Sequence, residues 1–295
     1  MKIRIAARGS RLSLEQVKVV ENFLSENGYE TEFLEIKTKA DLFNNRPLTE
    51  IGKGVFEKEV NEAILQGKAD IAVHSMKDLS SELPAGLEII ATPKREEPID
   101  VLIANTDLMD LPSGSKIGTS SVRRAYFLKA IRPDVVVSDI RGNVDTRLKK
   151  YLEGTYTGLI LAEAGLRRLG INIERYPLNV RDFTPEPNQG IIAVVSSSKN
   201  TNVKEALKGL NHEDTMAEAI AERITVSLIG GGCHTPLGVL FRKIDNKLEG
   251  IASYSNGIRK VTVDISTSDD PKEAGRKLGE SLLRGMKNEG IVLKT

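Results

Sequence analysis

The sequence predicts an α/β protein with two successive lobes, followed by a smaller α+β domain. Over the first two-thirds of the 295 residues, short β-rich runs alternate with amphipathic helical patterns. Strands that alternate with helices are typical of βαβ units and a mainly parallel sheet. After Asn211 the pattern changes to three strand-like runs joined by Asp245-Asn246 and Asn256-Gly257. These are hairpin turn sequences, so the last part of the chain is predicted to be a different domain.

The elements of the first lobe follow from periodicity and from helix stops. Gly28 and Gly67 follow amphipathic stretches and mark their ends, because glycine readily adopts the left-handed conformation that closes a helix. The run 69–74 is short and mostly apolar, as expected of a strand buried on both faces. In chain order, we predict strands over 2–7, 31–37 and 69–74, and helices over 12–27 and 56–66.

The second lobe repeats this pattern, and the third domain departs from it. In the second lobe, strands are predicted to end at 116–118 and to span 135–138 and 157–162, with helices over 121–131, 144–152 and through 166–168. The run 190–196 is another apolar strand. In the third domain, helices are predicted over 213–227 and 271–286, and strands over 237–244, 248–255 and 260–266.

Two stretches with helix- and strand-breaking residues, 93–98 and 185–190, indicate where the chain crosses between the lobes. A cleft is therefore expected between the two lobes. The expected domains are domain 1, residues 1–95 and 190–210; domain 2, residues 96–189; and domain 3, residues 211–295.

Composition excludes several classes of function. The 42 lysines and arginines nearly balance 41 acidic residues, for a net charge of +1, so bulk charge does not hold this chain to nucleic acid. No apolar run reaches the length of about 18 residues that a membrane span needs, and the charged N-terminal residues do not form a secretory signal. We expect a cytoplasmic protein without a membrane or nucleic-acid partner. One cysteine and three scattered histidines predict no metal site.

Three polar clusters each follow the end of a predicted strand. They are His74-Ser75-Met76-Lys77-Asp78, Gly118-Thr119-Ser120-Ser121-Val122-Arg123-Arg124 and Arg141-Gly142-Asn143-Val144-Asp145-Thr146-Arg147. Ligands of open α/β sheets bind at the carboxyl ends of strands, and both helix N-termini and arginine forks favour anions. The clusters therefore predict a ligand with several negative charges. Alternatively, the hydroxyl residues only cap helices and the arginines are solvated.

Asp78 and Cys233 are the candidates for chemistry. A carboxylate among cationic groups can stabilise a positively charged intermediate or move a proton, although Asp78 can equally form an Asx turn or a helix cap. Cys233 follows three glycines, which indicates a thiol presented on a loop for reaction or covalent modification. Alternatively, it is an inert buried residue. The adjacent His234 suggests a dyad, but adjacency in sequence is weak support for one.

A series of motifs along nearly the whole chain resembles the porphobilinogen deaminase family, also called hydroxymethylbilane synthases. Each motif is weak by itself, and their common order makes the resemblance specific. The motifs are Ala7-Arg8-Gly9-Ser10, the run from Ala69 to Asp78, the run from Gly118 to Arg124, Arg141-Gly142-Asn143-Val144, Ala164-Gly165-Leu166, Asn188-Gln189-Gly190 and Gly231-Gly232-Cys233.

The resemblance implies two domains like those of type II periplasmic binding proteins around a cleft, plus a small α+β domain. It implies that Cys233 carries a dipyrromethane cofactor through a thioether. The implied enzyme is a transferase of porphyrin, tetrapyrrole and heme biosynthesis that acts as a monomer on porphobilinogen. Four porphobilinogen molecules are deaminated and added head to tail to the cofactor, with loss of ammonia, and hydrolysis then releases linear hydroxymethylbilane.

The resemblance also implies roles for individual residues. Asp78 is expected to be catalytic, because its carboxylate stabilises positive charge on pyrrole nitrogens. Lys53 and Phe56 are expected near a loop over the cleft, for which 39–54 is the candidate. The residues expected to hold cofactor carboxylates are Ser75, Lys77, Thr119, Ser121, Arg123, Arg124 and Arg147. The residues expected to line the substrate position are Arg8, Ser10, Arg141, Arg168 and Gln189.

Two other interpretations stay open. Two lobes around an anion-binding cleft also suit a non-enzymatic binding protein for anionic solutes, although an export signal is absent and the third domain would be unexplained. The other interpretation is an acyl transferase with Cys233 as nucleophile and His234 as base. A covalent dipyrrole on the purified chain would distinguish a deaminase from both.

Overall fold

The computed structural model describes residues 1–38, 57–230 and 235–293. The chain divides into two units, one of residues 1–96 and 190–216 and the other of residues 97–189 and 217–295. Several predicted site residues lie outside the described residues, namely Lys53, Phe56, Cys233, His234 and the whole of the predicted loop 39–54. The boundaries of the three predicted domains stay a prediction.

Strands and helices alternate through most of the described chain, as the sequence predicts. Most bounds agree with the predicted ones to within about two residues, the usual uncertainty of an element's end. The described elements are β1 Lys2–Ala7, α1 Arg11–Glu26, β2 Glu30–Glu35, α2 Lys58–Leu65, β3 Ile71–Ser75, β4 Leu87–Ala91, β5 Asp100–Ile103, β6 Lys116–Gly118, α3 Val122–Ile131, β7 Val136–Ser138, α4 Val144–Leu152, β8 Gly158–Ala162, α5 Glu163–Arg168, β9 Tyr176–Pro177, β10 Ile192–Ser197, α6 Thr201–Leu207, α7 Glu213–Ile229, β11 Leu237–Ile244, β12 Lys247–Ser255, β13 Lys260–Thr267 and α8 Pro271–Asn288.

Two five-stranded sheets are built in the same way. The N-terminal sheet, in the first unit, has the order β2-β1-β3-β10-β4, and the central sheet, in the second unit, has the order β7-β6-β8-β5-β9. In each, the first two strand pairs are parallel and the last two antiparallel. The prediction of a mainly parallel sheet is therefore wrong. The reason is that β5 and β10 enter their sheets from the chain crossings, without the helical crossover that parallel pairing requires.

The second unit also contains the C-terminal sheet, an antiparallel meander of order β11-β12-β13. Leu278 and Leu282 of α8 pack with Phe241 and Tyr254 of the sheet in one buried core. Burying an apolar side chain of this size stabilises the fold by about 1.5–3 kcal/mol. The predicted α/β class with a small α+β C-terminal part is confirmed. In the described part of the chain, no helix is both long enough and apolar enough to span a membrane.

Candidate functional site

Three predicted site segments of the second unit leave the central sheet at one edge. Strands β7, β6 and β8 are parallel, and Gly118 is aligned with Ser138 on one side and Leu159 on the other. Because parallel strands end at the same edge, the residues that follow β6, β7 and β8 come together there. The motifs around Arg123 and Arg141, together with the start of the helix Glu163–Arg168, are thereby brought to one edge.

The hydroxyl and amide residues at this edge cap helices. The Ser121 Oγ accepts a hydrogen bond from the Arg124 N–H at 3.4 Å, and the Asn143 Oδ1 accepts one from the Thr146 N–H at 3.0 Å. The Thr119 Oγ1 accepts from the Ser121 N–H at 3.2 Å. The capping role, one of the two alternatives for the hydroxyl residues, is thus present. Because α3 and α4 follow the parallel strands β6 and β7, their N-termini lie at the same edge. The partial positive charge of these N-termini favours an anion there.

Asp100 is the centre of a buried ion cluster that the motifs do not reveal. It begins β5, which runs antiparallel to β8 and places Asp100 opposite Ala162, at the edge described above. Its Oδ2 lies 2.7 Å from the Arg123 Nη2, and its Oδ1 lies 2.7 Å from the Arg124 Nη2. The carboxylate is fully buried. Burial alone would raise the pKa of Asp100, but the charges of Arg123 and Arg124 hold it below its usual range.

Gln189 completes this cluster. Its Nε2 donates to the Asp100 Oδ1 at 2.8 Å and to the Pro98 carbonyl at 2.6 Å. Arg124 in turn donates from Nη1 to the Ile160 carbonyl at 3.0 Å. Arg123, Arg124 and Gln189 are all buried, at 2%, 6% and 0% exposure. Within the described residues, the Nε atoms of both arginines have no hydrogen-bond partner, so a ligand carboxylate at these two donors would satisfy them.

Arg141 and Arg147 add further positive charge at this edge. We call Arg123, Arg124, Arg141 and Arg147 the arginine cluster. Asp100 pairs with Arg123 and Arg124, and the Asp139 Oδ2 lies 3.0 Å from the Arg141 Nε. The four arginines of the cluster and these two aspartates therefore sum to two excess positive charges. Burial, and then the charges of Arg124 and Arg141, lower the pKa of Arg147 to about 10. A pKa lowered by neighbouring cations indicates a place where an anion would bind favourably.

Arg168, at the end of α5, is distinguished from its neighbour Arg167 by the contacts of Glu163. The Glu163 carboxylate accepts hydrogen bonds from the Arg167 Nε at 2.7 Å and from the Arg175 Nε and Nη2 at 2.6 and 2.9 Å. Hydrogen bonds from Arg175 and then Arg167 lower the pKa of Glu163, although burial opposes them. Arg167 is thus an exposed residue that stabilises the helix, whereas Arg168 is half-buried.

In the first unit, the predicted residues also gather at one sheet edge. Strands β1 and β3 are parallel, with Ile5 aligned with Ile71, so Arg8 and Ser10 leave the sheet beside Ser75, Lys77 and Asp78. Ser75, Lys77 and Asp78 are half-buried, and a single 3-10 turn, Met76–Asp78, follows β3 directly.

Local hydrogen bonds fix this edge of the first unit. The Ser10 Oγ caps α1 through the Ser13 N–H at 3.3 Å, and the Ser75 Oγ accepts from the Gln16 Nε2 at 2.7 Å. The buried His74 ring lies 3.0 Å from the Asn61 Oδ1 through its Nε2. Burial, and then the charge of Arg8, lower the pKa of His74 to about 4. His74 is therefore neutral near pH 7 and supports the strand without adding charge.

Sequence reasoning missed Asp100 and Gln16. For Asp100 a signal exists: a lone acid between Pro98 and the apolar run 101–104 begins a buried strand, and a buried carboxylate needs a cationic partner. Gln16 lies on the helical face with Val17 and Val20, and nothing in its pattern separates it from an ordinary surface glutamine. In the described ranges, no three or more His, Cys, Asp or Glu residues are grouped to hold a metal ion.

Comparison with protein families finds one model that matches most of the chain. The model for "Porphobilinogen deaminase, dipyromethane cofactor binding domain" matches residues 3–205. That range contains every predicted site residue except Cys233.

Curated relatives match nearly the whole chain. A "Probable porphobilinogen deaminase" of Metallosphaera sedula is 65% identical over 292 residues, covering 99% of this chain and 100% of the relative. Proteins of the same description from Saccharolobus islandicus and Sulfurisphaera tokodaii are 57% and 53% identical, with the same coverage of both chains. Among solved structures, the probable amino-acid ABC transporter extracellular-binding protein ytmK of Bacillus subtilis aligns with a TM-score of 0.43 and 12% identity, covering 71% of this chain and 91% of that one.

Proposed function

Because this chain belongs to the porphobilinogen deaminase family, we propose that it is a hydroxymethylbilane synthase. Such a transferase joins porphobilinogen units head to tail, loses one ammonia per unit and releases linear hydroxymethylbilane by hydrolysis. The observation that carries the proposal is the arginine cluster, with two excess positive charges in a chain of net charge +1. Each pyrrole brings an acetate and a propionate, so a growing polypyrrole needs such a concentration of cations.

The donor set of the second unit fits a dipyrromethane. The two Nε–H groups of Arg123 and Arg124 lack partners among the described residues, and burial, followed by the charges of Arg124 and Arg141, lowers the pKa of Arg147. Carboxylates would satisfy these donors and relieve the repulsion between the cations. We therefore assign Arg123, Arg124, Arg147, Thr119 and Ser121 to cofactor carboxylates, and extend the assignment to Ser75 and Lys77 of the first unit. A dipyrromethane attached to Cys233 supplies the fixed end to which pyrroles are added.

Asp78 is assigned the catalytic role. Its carboxylate is half-buried at the end of a strand, among residues that include Lys77 and Arg8. Formation of a carbon–carbon bond between pyrroles places positive charge on ring nitrogens, and a fixed carboxylate that accepts their N–H groups stabilises that charge. The same oxygen atoms can hold a proton released from the ring.

The substrate position is assigned to Arg8, Ser10, Arg141 and Arg168, which present guanidinium and hydroxyl donors to acetate and propionate groups. Gln189 is assigned to this position as well. The Gln189 amide also hydrogen-bonds to Asp100 and Arg124, so Gln189 contributes to substrate binding by orienting these two residues. From the family resemblance, we still expect the protein to be a monomer and to lie in the cytoplasm.

Replacement of Arg168 by Ala is expected to raise the KM for porphobilinogen by a factor on the order of ten or more, because a charged hydrogen bond to a substrate carboxylate is lost. The matched control is Arg167→Ala, one residue earlier in α5. It removes a bond to Glu163 instead, and its KM should stay within about twofold of wild type. Steady-state kinetics of both variants check this expectation. Equal KM values for the two variants would remove Arg168 from the substrate position.

The activity itself is tested by incubating the purified full-length chain with porphobilinogen. We expect one ammonia for each porphobilinogen consumed, and a linear tetrapyrrole that closes to a porphyrinogen without further enzyme. A non-enzymatic binding protein would bind porphobilinogen without releasing ammonia. An acyl transferase would leave porphobilinogen unchanged, and either result would overturn the proposal.

A further inference from the structure

The C-terminal sheet contacts a residue that holds Arg123 of the arginine cluster. The Arg123 Nη1 donates to the Thr184 carbonyl at 2.8 Å. Within the described residues, the Nε and Nη2 of Arg123 make no hydrogen bond, although Nη2 lies 2.7 Å from the Asp100 carboxylate. The bond to Thr184 is therefore the directional contact that sets the rotation of this guanidinium, since an ion pair alone restrains orientation weakly.

Thr184 is held in place by the C-terminal sheet on two sides. The Val239 N–H of β11 donates to the carbonyl of the next residue, Pro185, at 2.9 Å. Gly238, also in β11, packs so closely that a side chain there would collide with the Thr184 carbonyl oxygen. The position of this oxygen, and with it the position of the Arg123 guanidinium, thus depends on close backbone contact with β11.

A chain of hydroxyl groups fixes the Thr184 side chain. The Thr184 Oγ1 lies 2.6 Å from the Ser253 Oγ, which lies 2.8 Å from the Thr262 Oγ1. The Lys260 Nζ donates to the Thr262 Oγ1 at 2.9 Å, and the Thr184 hydroxyl donates to the Val180 carbonyl at 2.9 Å. A lysine ammonium only donates and a carbonyl only accepts, so every hydroxyl between them has one direction of donation. Hydrogen bonds that are linked in this way polarise and strengthen one another.

We propose that Thr184 is a positioning residue for Arg123, and that Ser253 of the C-terminal sheet holds it in the productive orientation. The C-terminal sheet then has a part in anion binding. The consequence for cofactor binding rests on the function proposed above. The orientation of Arg123 does not.

The test uses Thr184→Val, which keeps the shape of the side chain and removes its hydroxyl. The matched control is Thr225→Val. Thr225 is as buried as Thr184, with 0% exposure, and its hydroxyl donates to the Ala221 and Gly275 carbonyls at 3.0 and 2.9 Å, away from Arg123. Thr184→Ser restores the hydroxyl, and Ser253→Ala interrupts the same chain one residue further along if Thr184→Val does not fold.

Two measurements are made on the full chain. The first is nitrogen NMR of the arginine side chains, which reports how fast the Arg123 guanidinium rotates. The second is the rate at which cofactor-free chain, purified from cells that make no porphobilinogen, gains the mass of a dipyrrole when porphobilinogen is added. Thr184→Val and Ser253→Ala should speed the rotation and slow the mass gain by a factor on the order of five, the effect of one lost hydrogen bond.

Thr184→Ser and Thr225→Val should match wild type in both measurements. If Thr184→Val and Thr225→Val behave alike in both, Thr184 is only structural and the inference is wrong. If wild-type chain never gains the dipyrrole mass, the proposed function fails, and the rotation measurement still decides whether Thr184 positions Arg123.

Discussion

Asp100→Asn is expected to lower the free energy of unfolding by about 3–5 kcal/mol, the usual cost of leaving a buried charge without its partner. The carboxylate is fully buried and faces both Arg123 and Arg124. Asparagine has the same shape but no charge, so two guanidinium groups would remain buried without a counterion. Denaturant unfolding of wild type and Asp100→Asn at neutral pH measures this difference in the free energy of unfolding. We expect the two proteins to have equal m-values, so that the shift in midpoint reports stability.

The control for this change is Asp139→Asn, in the exposed ion pair of the arginine cluster with Arg141. Its side chain is 58% exposed and lies 3.0 Å from Arg141, so solvent screens the pair and the cost should stay under about 1 kcal/mol. Asp100→Asn should also reduce the fraction of chains that carry the cofactor, because Arg124 loses its charged hydrogen bond to the Asp100 carboxylate. A cost for Asp100→Asn no larger than that for Asp139→Asn would show that the buried ion cluster does not stabilise the second unit.

Asp78→Asn is expected to reduce kcat by a factor on the order of 100 or more, the usual effect of removing a group that stabilises charge in the transition state. Asparagine keeps the size of the side chain and can form the same local turn. It has no charge to offset the positive charge that develops on the pyrrole nitrogens. The KM should change much less than kcat, because the carboxylate contributes little to binding an anionic substrate.

Asp107→Asn is the matched control for Asp78→Asn. Asp107 immediately precedes a 3-10 turn, as Asp78 ends one. The Asp107 Oδ1 accepts from the Met109 N–H at 3.2 Å, and asparagine can accept the same bond. Its kinetics should equal those of wild type. Both variants should unfold at the same denaturant concentration as wild type, so a loss of turnover in Asp78→Asn alone is chemical. Near-normal turnover in Asp78→Asn would remove this residue from the mechanism.

Elements with their own periodicity could be predicted from the sequence. The strands at 2–7 and 237–244 and the helix at 144–152 agree with β1, β11 and α4 to the residue, because alternation and helical spacing are local properties. Strands β4 and β5 were missed. Both are short and adjoin the proline-containing crossing at 93–98, and their pairing partners β10 and β8 are far away in the sequence.

The candidate site, too, could be predicted only as far as local sequence patterns reach. The clusters that contain Arg123 and Arg141 follow strands that end at one sheet edge, and this could be anticipated because the strand-end rule depends only on the order of strands and helices. They do not reveal that Arg123 and Arg124 are buried against Asp100. That pairing follows from the antiparallel register of β5 with β8, which no local pattern encodes. The hydroxyl chain from Lys260 to Thr184 likewise joins residues that only the tertiary structure brings together.

Intact-mass measurement of the full chain, purified from cells that make porphobilinogen, tests most directly whether Cys233 carries a polyanionic pyrrole primer. Wild-type chain should show the excess mass of one dipyrromethane, and Cys233→Ser from the same cells should show the mass of the polypeptide alone. An unmodified wild-type chain, or the same excess mass on Cys233→Ser, would contradict the assignment.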